Sequence, residues 1–266
     1  GLLFPISFCQ QKTITAAGAE LSYLKGGKGK PLLVLHEELG NPGWLAWQRK
    51  LAEDRKLIVP LHPGFGVSPR LDWIRTIGDL ANYYAQVMVE QDWVGADVIG
   101  FSLGGWIAAE MAAQNPRQFA SLTLVAPFGI KPPRGMIRDI YVAPTEDYVA
   151  ASVKDSAATP EFAGLFGGAM TPEQFERFQD ATAESARLAW QPYMSNPALG
   201  NRLGLVRKLP TLIVWGEDDA IAPVSAAALF HAAIRGSKLA LFKDCGHRPE
   251  IEQTGKFLKK LKAHLS

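Results

Sequence analysis

The chain has few cysteines, little excess charge and no long apolar run, and each of these shortages excludes a class of protein. Two cysteines, Cys9 and Cys245, in 266 residues are too few for a disulfide framework and fit a reducing, cytoplasmic setting. A formal net charge of +2 gives no electrostatic basis for binding nucleic acid or an acidic membrane surface. No apolar stretch approaches the roughly 20 residues that span a bilayer. The apolar start, residues 1–6, contains Pro5 and lacks basic residues, so it matches a signal remnant poorly.

The composition that remains is that of an ordinary globular protein. Hydrophobic residues make up 47% of the chain and charged residues 20%, which is enough apolar material to bury a large core. The length suits one large domain or a core with a subdomain. Metal-ligand spacings and dinucleotide-binding fingerprints are both absent from the sequence. We therefore expect a small-molecule substrate, with no metal and no cofactor; the oligomeric state stays open.

One short run organises the chain: a strand, a sharp turn and a helix centred on Ser102. Residues 97–99 are mostly apolar and partly β-branched, which predicts a buried strand. Leu103–Gln114 is rich in alanine, which favours a helix. Gly100 and Gly104 flank the serine, and a side chain at either place would clash in so tight a turn. This G-x-S-x-G pattern predicts a nucleophilic serine lifted into the open at a helix N-terminus.

Strands alternate with helices on both sides of that turn, which predicts a mostly parallel sheet covered by helices. The predicted strands are 12–16, 20–25, 31–35, 57–60, 97–99, 121–125, 211–215 and 238–242. The predicted helices of this part are 44–53, 76–90, 103–114, 224–235 and 249–264. Between them, residues 130–204 are rich in alanine and helix-start signals and show no convincing strand. We interpret residues 130–204 as a helical insertion, the cap, on a core made of 1–129 and 205–266.

A serine hydroxyl needs a base to become a nucleophile, and the base needs an acid to orient it. Acidic residues 217–219 follow one predicted strand, and His247 follows the next. Ligands gather outside the carboxyl ends of parallel strands, so these loops and Ser102 should converge. The chain order of serine, acid and histidine is that of an α/β-hydrolase.

The sequence resembles the α/β-hydrolase fold family, in the subgroup with a helical cap after the sixth strand. The resemblance covers nearly the whole chain. It rests on the stretches at residues 63–68, 100–106, 215–219 and 246–249. It implies Ser102 as nucleophile, Asp219 as acid and His247 as base. Asp219 is preferred to Asp218 because the family pattern is Gly, two residues, then Asp.

The loop after the first parallel strand departs from that family. Members usually have His-Gly there, and the loop donates one oxyanion-hole amide, whereas this chain has Glu37 and Glu38 after the histidine. The resemblance implies amides of Leu103 and of Glu38, or of Glu37 or Leu39, as the donors. A carboxylate nearby would oppose the developing oxyanion, so we expect the glutamates to face solvent. The alternative is that one lines the pocket, where it positions water or binds a cationic substrate group.

The cap should supply an apolar substrate pocket together with residues of the core. The large apolar residues of the cap are Phe162, Phe166, Met170, Phe175, Phe178, Trp190, Tyr193 and Met194. Many of them must simply pack the cap onto the core. The predicted substrate contacts are Glu37, Leu39, Phe128, Trp190 and Tyr193.

These residues predict a serine hydrolase that cleaves a carboxylic ester of a small, mostly apolar substrate through an acyl-enzyme. One alternative is a carbon–carbon bond hydrolase of aromatic ring-fission products, because residues 187–193 resemble the cap of those enzymes. Others are a catalytically weak ligand-binding relative, favoured by the unusual glutamate loop, and a cofactor-free lyase or perhydrolase.

Overall fold

An eight-stranded sheet forms the centre of the computed structural model, which describes residues 9–166 and 171–265. Its strands are β1 (Gln10–Ala16), β2 (Ala19–Gly26), β3 (Lys30–Leu35), β4 (Arg55–Pro60), β5 (Ala96–Phe101), β6 (Phe119–Val125), β7 (Thr211–Gly216) and β8 (Lys238–Phe242). The order across the sheet is β1-β2-β4-β3-β5-β6-β7-β8. β2 runs antiparallel to both of its neighbours, and all pairs from β4 to β8 are parallel. The predicted α/β class with a mostly parallel sheet is confirmed.

Helices connect the parallel strands and surround the sheet. They are α1 (Ala46–Leu51), α2 (Ile77–Glu90), α3 (Leu103–Gln114), α4 (Thr145–Ala151), α5 (Pro160–Phe166), α6 (Pro172–Ala189), α7 (Leu199–Arg202), α8 (Ala227–Ala233), α9 (Pro249–Glu252) and α10 (Thr254–Leu265). α3 packs against α2, and α1 packs against α9 and α10. None of the helices in the described ranges has the length and apolar character to cross a bilayer.

Three helices differ from the sequence prediction, and the first, predicted over 44–53, is the shorter α1 (Ala46–Leu51). The closing helix, predicted as one element over 249–264, is broken at Gln253, whose backbone leaves the helical region at φ −139°. The Gln253 side chain donates to the carbonyl oxygens of Lys243 and Asp244 at 2.7 and 3.2 Å, and this loop contact holds the break open. The helix predicted from Val224 begins as a short 3-10 turn and becomes α-helical only at Ala227.

The segment 130–204 lies between β6 and β7 and contains α4, α5, α6 and α7. Its two ends meet where Gly129 bridges Ser195. The Gly129 N–H donates to the Met194 carbonyl at 3.0 Å, and the Asn196 N–H donates to the Gly129 carbonyl at 2.8 Å. Met170 and residues 1–8 lie outside the described residues, as does the side chain of Phe166. The two hydrogen bonds of Gly129 therefore join the chain just before the segment to residues 194–196, close to the segment's end.

Candidate active site

Ser102 sits where β5 turns into α3, in a backbone conformation that L-residues rarely adopt. Its φ is 55° and its ψ is −115°, outside the allowed wells of ordinary residues. Hydrogen bonds on both sides fix the turn: the Ser102 N–H donates to the Val125 carbonyl at 3.0 Å, and the Phe128 N–H donates to the Ser102 carbonyl at 3.1 Å. The surrounding strands therefore hold the strained residue in place. Ser102 is only 2% exposed, so the expectation that it lies in the open is wrong.

The flanking glycines are needed because backbone passes where side chains would be. A Cβ on Gly104 would lie 2.1 Å from the carbonyl oxygen of Leu35, at the end of β3. A Cβ on Gly100 would lie 2.3 Å from the carbonyl oxygen of Gly104. The clash predicted for both positions is confirmed, and it explains the spacing of the glycines around Ser102.

The three side chains proposed for catalysis meet at the carboxyl edge of the sheet. His247, in the loop after β8, places Nε2 2.9 Å from Ser102 Oγ and Nδ1 2.7 Å from Asp219 Oδ2. The side chain of Asp219, in the loop after β7, is fully buried, and its other oxygen accepts the N–H groups of Ile221 and Ala222, both at 2.8 Å. This arrangement can pass a proton from the hydroxyl to the imidazole and hold the resulting imidazolium beside a carboxylate.

The neighbouring carboxylate, Asp218, has a different role. Its side chain is 46% exposed and accepts Lys154 Nζ at 2.9 Å. The structure therefore brings Asp219, and not Asp218, to the histidine.

The electrostatic surroundings favour the protonated form of His247. Burial lowers the pKa of the imidazole, but the charge and hydrogen bond of Asp219 and the more distant charge of Glu38 outweigh it and raise the pKa to about 9. An excess of buried negative charge thus surrounds the position of Ser102. Phe128 covers one side of the imidazole, with its ring stacked 6.2 Å from that of His247.

Both glutamates of the loop after β3 are buried, with 6% of Glu37 and 2% of Glu38 exposed. The expectation that they face solvent is wrong. It failed because each carboxylate has a polar partner far away in the sequence, which the local pattern does not reveal.

Glu37 forms a buried ion pair with Arg248, the residue after His247. Glu37 Oε1 accepts Arg248 Nη2 at 2.6 Å, and Glu37 Oε2 accepts Arg248 Nη1. Arg248 Nε donates to Ser152 Oγ at 2.7 Å, and the His247 N–H donates to the Ser152 carbonyl at 3.1 Å. The pair therefore ties the β3 loop, the end of α4 and the histidine loop together. The predicted substrate contact of Glu37 is at odds with this pair, because both carboxylate oxygens are already engaged.

Glu38 turns its carboxylate towards the helix N-terminus behind the nucleophile. Its Oε2 lies 3.4 Å from the Leu103 N–H, the amide predicted to bind an oxyanion. Its Oε1 accepts the Tyr148 hydroxyl of α4 at 2.6 Å, and its carbonyl accepts the Ser185 hydroxyl of α6 at 3.1 Å. The Glu38 carboxylate thus lies beside the predicted oxyanion amide, which fits the alternative that one of the two glutamates lines the site.

Comparison with known proteins identifies the family to which this chain belongs. The model of the alpha/beta hydrolase family matches residues 32–259. The chain belongs to the α/β-hydrolase family.

Curated relatives of this hydrolase carry out different reactions. It is 30% identical over 253 residues to the dihydrolipoyllysine-residue acetyltransferase component of an acetoin cleaving system from Cupriavidus necator, covering 91% of this chain and 65% of that protein. The chain thus spans about two thirds of the length of that relative. It is 27% identical to a 2-hydroxymuconate semialdehyde hydrolase of Pseudomonas sp. (strain CF600), over 92% of this chain and 90% of the relative.

Solved structures with low sequence identity share the fold. A meta-cleavage product hydrolase from Pseudomonas fluorescens IP01 superposes with a TM-score of 0.79 at 22% identity, covering 96% of this chain and 97% of the other. A thermophilic esterase from Thermogutta terrifontis gives 0.74 at 21%, covering 96% and 98%.

Two stacked histidines hold the glutamate loop of the hydrolase in shape. The rings of His36 and His62 lie 3.6 Å apart. His36 Nε2 accepts the His62 N–H at 3.0 Å, so its other nitrogen carries the proton and donates to the Glu37 carbonyl at 2.8 Å. Burial lowers the pKa of His36 to about 4. These neutral rings act as scaffold under the loop.

The remaining predicted contacts of the hydrolase are spread over the core and the insertion. Leu39 is buried in the β3 loop, and Phe128 lies against His247. Trp190 is 58% exposed, and its ring packs 5.2 Å from that of Tyr141. The Tyr193 hydroxyl donates to the Arg138 carbonyl at 2.6 Å. The structure brings Phe128 to the triad and leaves Trp190 and Tyr193 beside Tyr141.

Sequence reasoning missed three residues of this site: Arg248, Ser152 and Tyr148. Arg248 directly follows the predicted base, and an arginine at such a place signals an ion pair with a nearby glutamate. Ser152 and Tyr148 belong to an alanine-rich stretch of the insertion, where no local pattern indicates contact with the site.

Proposed function

We propose that this α/β-hydrolase is a serine hydrolase that cleaves a carboxylic ester of a small, mostly apolar substrate through an acyl-enzyme. The single observation that supports it most is the relay of Ser102, His247 and Asp219, with contacts of 2.9 and 2.7 Å. Because the nucleophile is strained, buried and aligned with its base, the arrangement is prepared for attack on a carbonyl.

In the proposed first step, Ser102 Oγ attacks the carbonyl carbon as His247 Nε2 takes its proton. The negative oxygen of the tetrahedral intermediate is held by the Leu103 N–H and an amide of the loop at residues 37–39. His247 then protonates the leaving alcohol, which leaves an acyl group on Ser102. Asp219 keeps the imidazole in the tautomer that accepts the proton at Nε2.

Water completes the cycle. His247 takes a proton from a water molecule, which attacks the acyl carbon. As the bond between the acyl carbon and Ser102 Oγ breaks, His247 returns the proton to Oγ, and the acid and the free serine are released. Residues of the insertion and Phe128 are proposed to surround the acyl group. Since His247 has to be neutral to act as a base, the raised pKa predicts an alkaline optimum.

Turnover of para-nitrophenyl butyrate tests this proposal. We expect hydrolysis by the unaltered chain and a loss of at least about 10³-fold in kcat for Ser102→Ala. Ser156→Ala, which changes an exposed serine of the insertion, is the matched control and should keep full activity. Labelling by a fluorophosphonate should likewise need Ser102. An unaltered chain that neither turns over the ester nor reacts with the phosphonate would instead favour the ligand-binding alternative.

A second candidate is hydrolysis of a carbon–carbon bond in an aromatic ring-fission product. The curated 2-hydroxymuconate semialdehyde hydrolase, 27% identical over most of both chains, favours it. Incubation with that ring-fission product, followed by mass spectrometry of the acids released, separates the two reactions. Ester turnover together with an unchanged ring-fission product would support the esterase.

A further inference from the structure

Among residues 9–166 and 171–265, no charged side chain forms an ion pair with the Glu38 carboxylate, whereas the neighbouring carboxylates each have such a partner. Both of its oxygens accept hydrogen bonds, from the Tyr148 hydroxyl at 2.6 Å and the Leu103 N–H at 3.4 Å, as an ionised carboxylate does. Both donors are neutral. By contrast, Glu37 lies against Arg248, and Asp219 lies against His247.

Charge around the nucleophile is therefore out of balance. Four buried carboxyl groups lie around one guanidinium and one imidazole, and they belong to Glu37, Glu38, Asp219 and Glu250. Burial raises the pKa of Glu250 to about 8, so this carboxyl group is mostly neutral at pH 7. The group keeps a net negative charge even when His247 is protonated. Buried charge without a counter-ion is costly, so a ligand that brings a positive charge would be favoured at this place.

Attack of Ser102 on a carbonyl creates a negative oxygen and so increases the excess of negative charge at this place. The Leu103 N–H that Glu38 contacts is the donor an oxyanion needs. A neutral ester would develop its negative oxygen beside the carboxylate and would have to displace it from the amide. An ester with a cation next to its carbonyl would draw the carboxylate away from the amide and cancel the repulsion.

The surroundings of Glu38 also suit an amine. The Tyr141 hydroxyl oxygen is buried and has no hydrogen-bond partner in the described part of the chain, so it can accept an N–H. Burial and the charges of Asp139 and Glu38 raise the pKa of Tyr141, which places its hydroxyl within the field of the Glu38 carboxylate. Tyrosine rings, such as that of Tyr148, also attract cations.

Resting on the proposed esterase function, we propose that Glu38 selects substrates whose acyl chain carries a protonated amine close to the scissile carbonyl. The ammonium pairs with the Glu38 carboxylate and frees the Leu103 amide for the oxyanion. Glu38 is thus a specificity-determining residue, and the substrate class is that of amino-acyl esters.

Two isosteric esters test the proposal, para-nitrophenyl β-alaninate and para-nitrophenyl butyrate, which differ by an ammonium group in place of a methyl group. Each kcat/KM is divided by the rate of buffer hydrolysis of the same ester, because the ammonium also raises intrinsic reactivity. At pH 7 we expect the unaltered chain to prefer the β-alaninate by at least about tenfold. Glu38→Gln keeps the shape of the side chain and should bring the ratio to about one or below, with butyrate cleaved faster than before.

The other possible results of this experiment count against the proposal. A corrected ratio of one or less in the unaltered chain overturns the proposal, even if Glu38→Gln does not fold. A tenfold ratio that survives Glu38→Gln overturns it as well. Equal acceleration of both esters by Glu38→Gln would mean that Glu38 only blocks the amide.

Failure of the esterase function is separable from failure of the selectivity. If neither ester is turned over, calorimetric binding of the two intact esters to Ser102→Ala still measures the preference. Tighter binding of β-alaninate, lost when Glu38→Gln is added, would retain the selectivity without the proposed reaction. Equal binding would overturn it.

Discussion

Replacing Glu37 by methionine removes one half of a buried ion pair while leaving a side chain of similar length. Arg248 is 3% exposed and would keep its charge, because its pKa lies far above neutrality. Breaking a buried pair on one side costs about 3–5 kcal/mol, since the guanidinium loses the carboxylate that binds it through both of its oxygens. For a protein of this size that corresponds to a fall in Tm of roughly 10 °C. Urea unfolding followed by circular dichroism measures the loss directly.

Three further variants test whether the loss of stability comes from the broken ion pair. Arg248→Met should cost a similar amount, and the double variant should be more stable than either single one, because it leaves no unpaired charge. Lys154→Met removes a lysine that pairs with Asp218 and Asp244 at the surface and should leave the urea midpoint unchanged. A midpoint for Glu37→Met as high as that of Lys154→Met would refute the reasoning, as would additive losses in the double variant.

Three further outcomes follow from the site. The kcat/KM for a neutral ester should rise about tenfold per pH unit up to about pH 9 and then level off, because His247 is protonated, and inactive as a base, below its raised pKa; a plateau already at pH 7 would contradict this. Asp219→Asn should lower kcat by about 10³–10⁴-fold, whereas Asp218→Asn, at a surface ion pair, should leave it unchanged in the same stopped-flow assay. Gly104→Ala would push a Cβ to 2.1 Å from a backbone oxygen and should prevent stable folding, whereas Gly200→Ala meets nothing within 4 Å and should unfold in urea at the same or a higher concentration.

The sequence predicts the frame of this molecule well because its signals are local. The strand before Ser102, the glycines around it and the helix after it are adjacent in the chain, so sterics alone specify the turn. Predicting His247 and the acidic residues 217–219 at one edge needs only the rule that parallel strands end together. The choice of Asp219 among them comes from the resemblance to the family.

Long-range partners explain what the sequence could not predict. Glu37 pairs with Arg248, which is 211 residues away, and Glu38 meets Tyr148, which is 110 residues away. Exposure of a carboxylate depends on such partners, and a local pattern contains no information about them. The break of the closing helix at Gln253 has the same origin, because contacts of its side chain with another loop compete with a continuous helix.

The contact of α4 with the histidine loop has a consequence for engineering. Ser152 belongs to the insertion, yet its carbonyl and hydroxyl hold the His247 amide and the Arg248 guanidinium. Trimming the chain to its sheet and flanking helices would therefore not yield a smaller working enzyme. The excision would free the His247 loop from its anchor, and any shortened chain has to retain the backbone around Ser152 or supply a substitute for it.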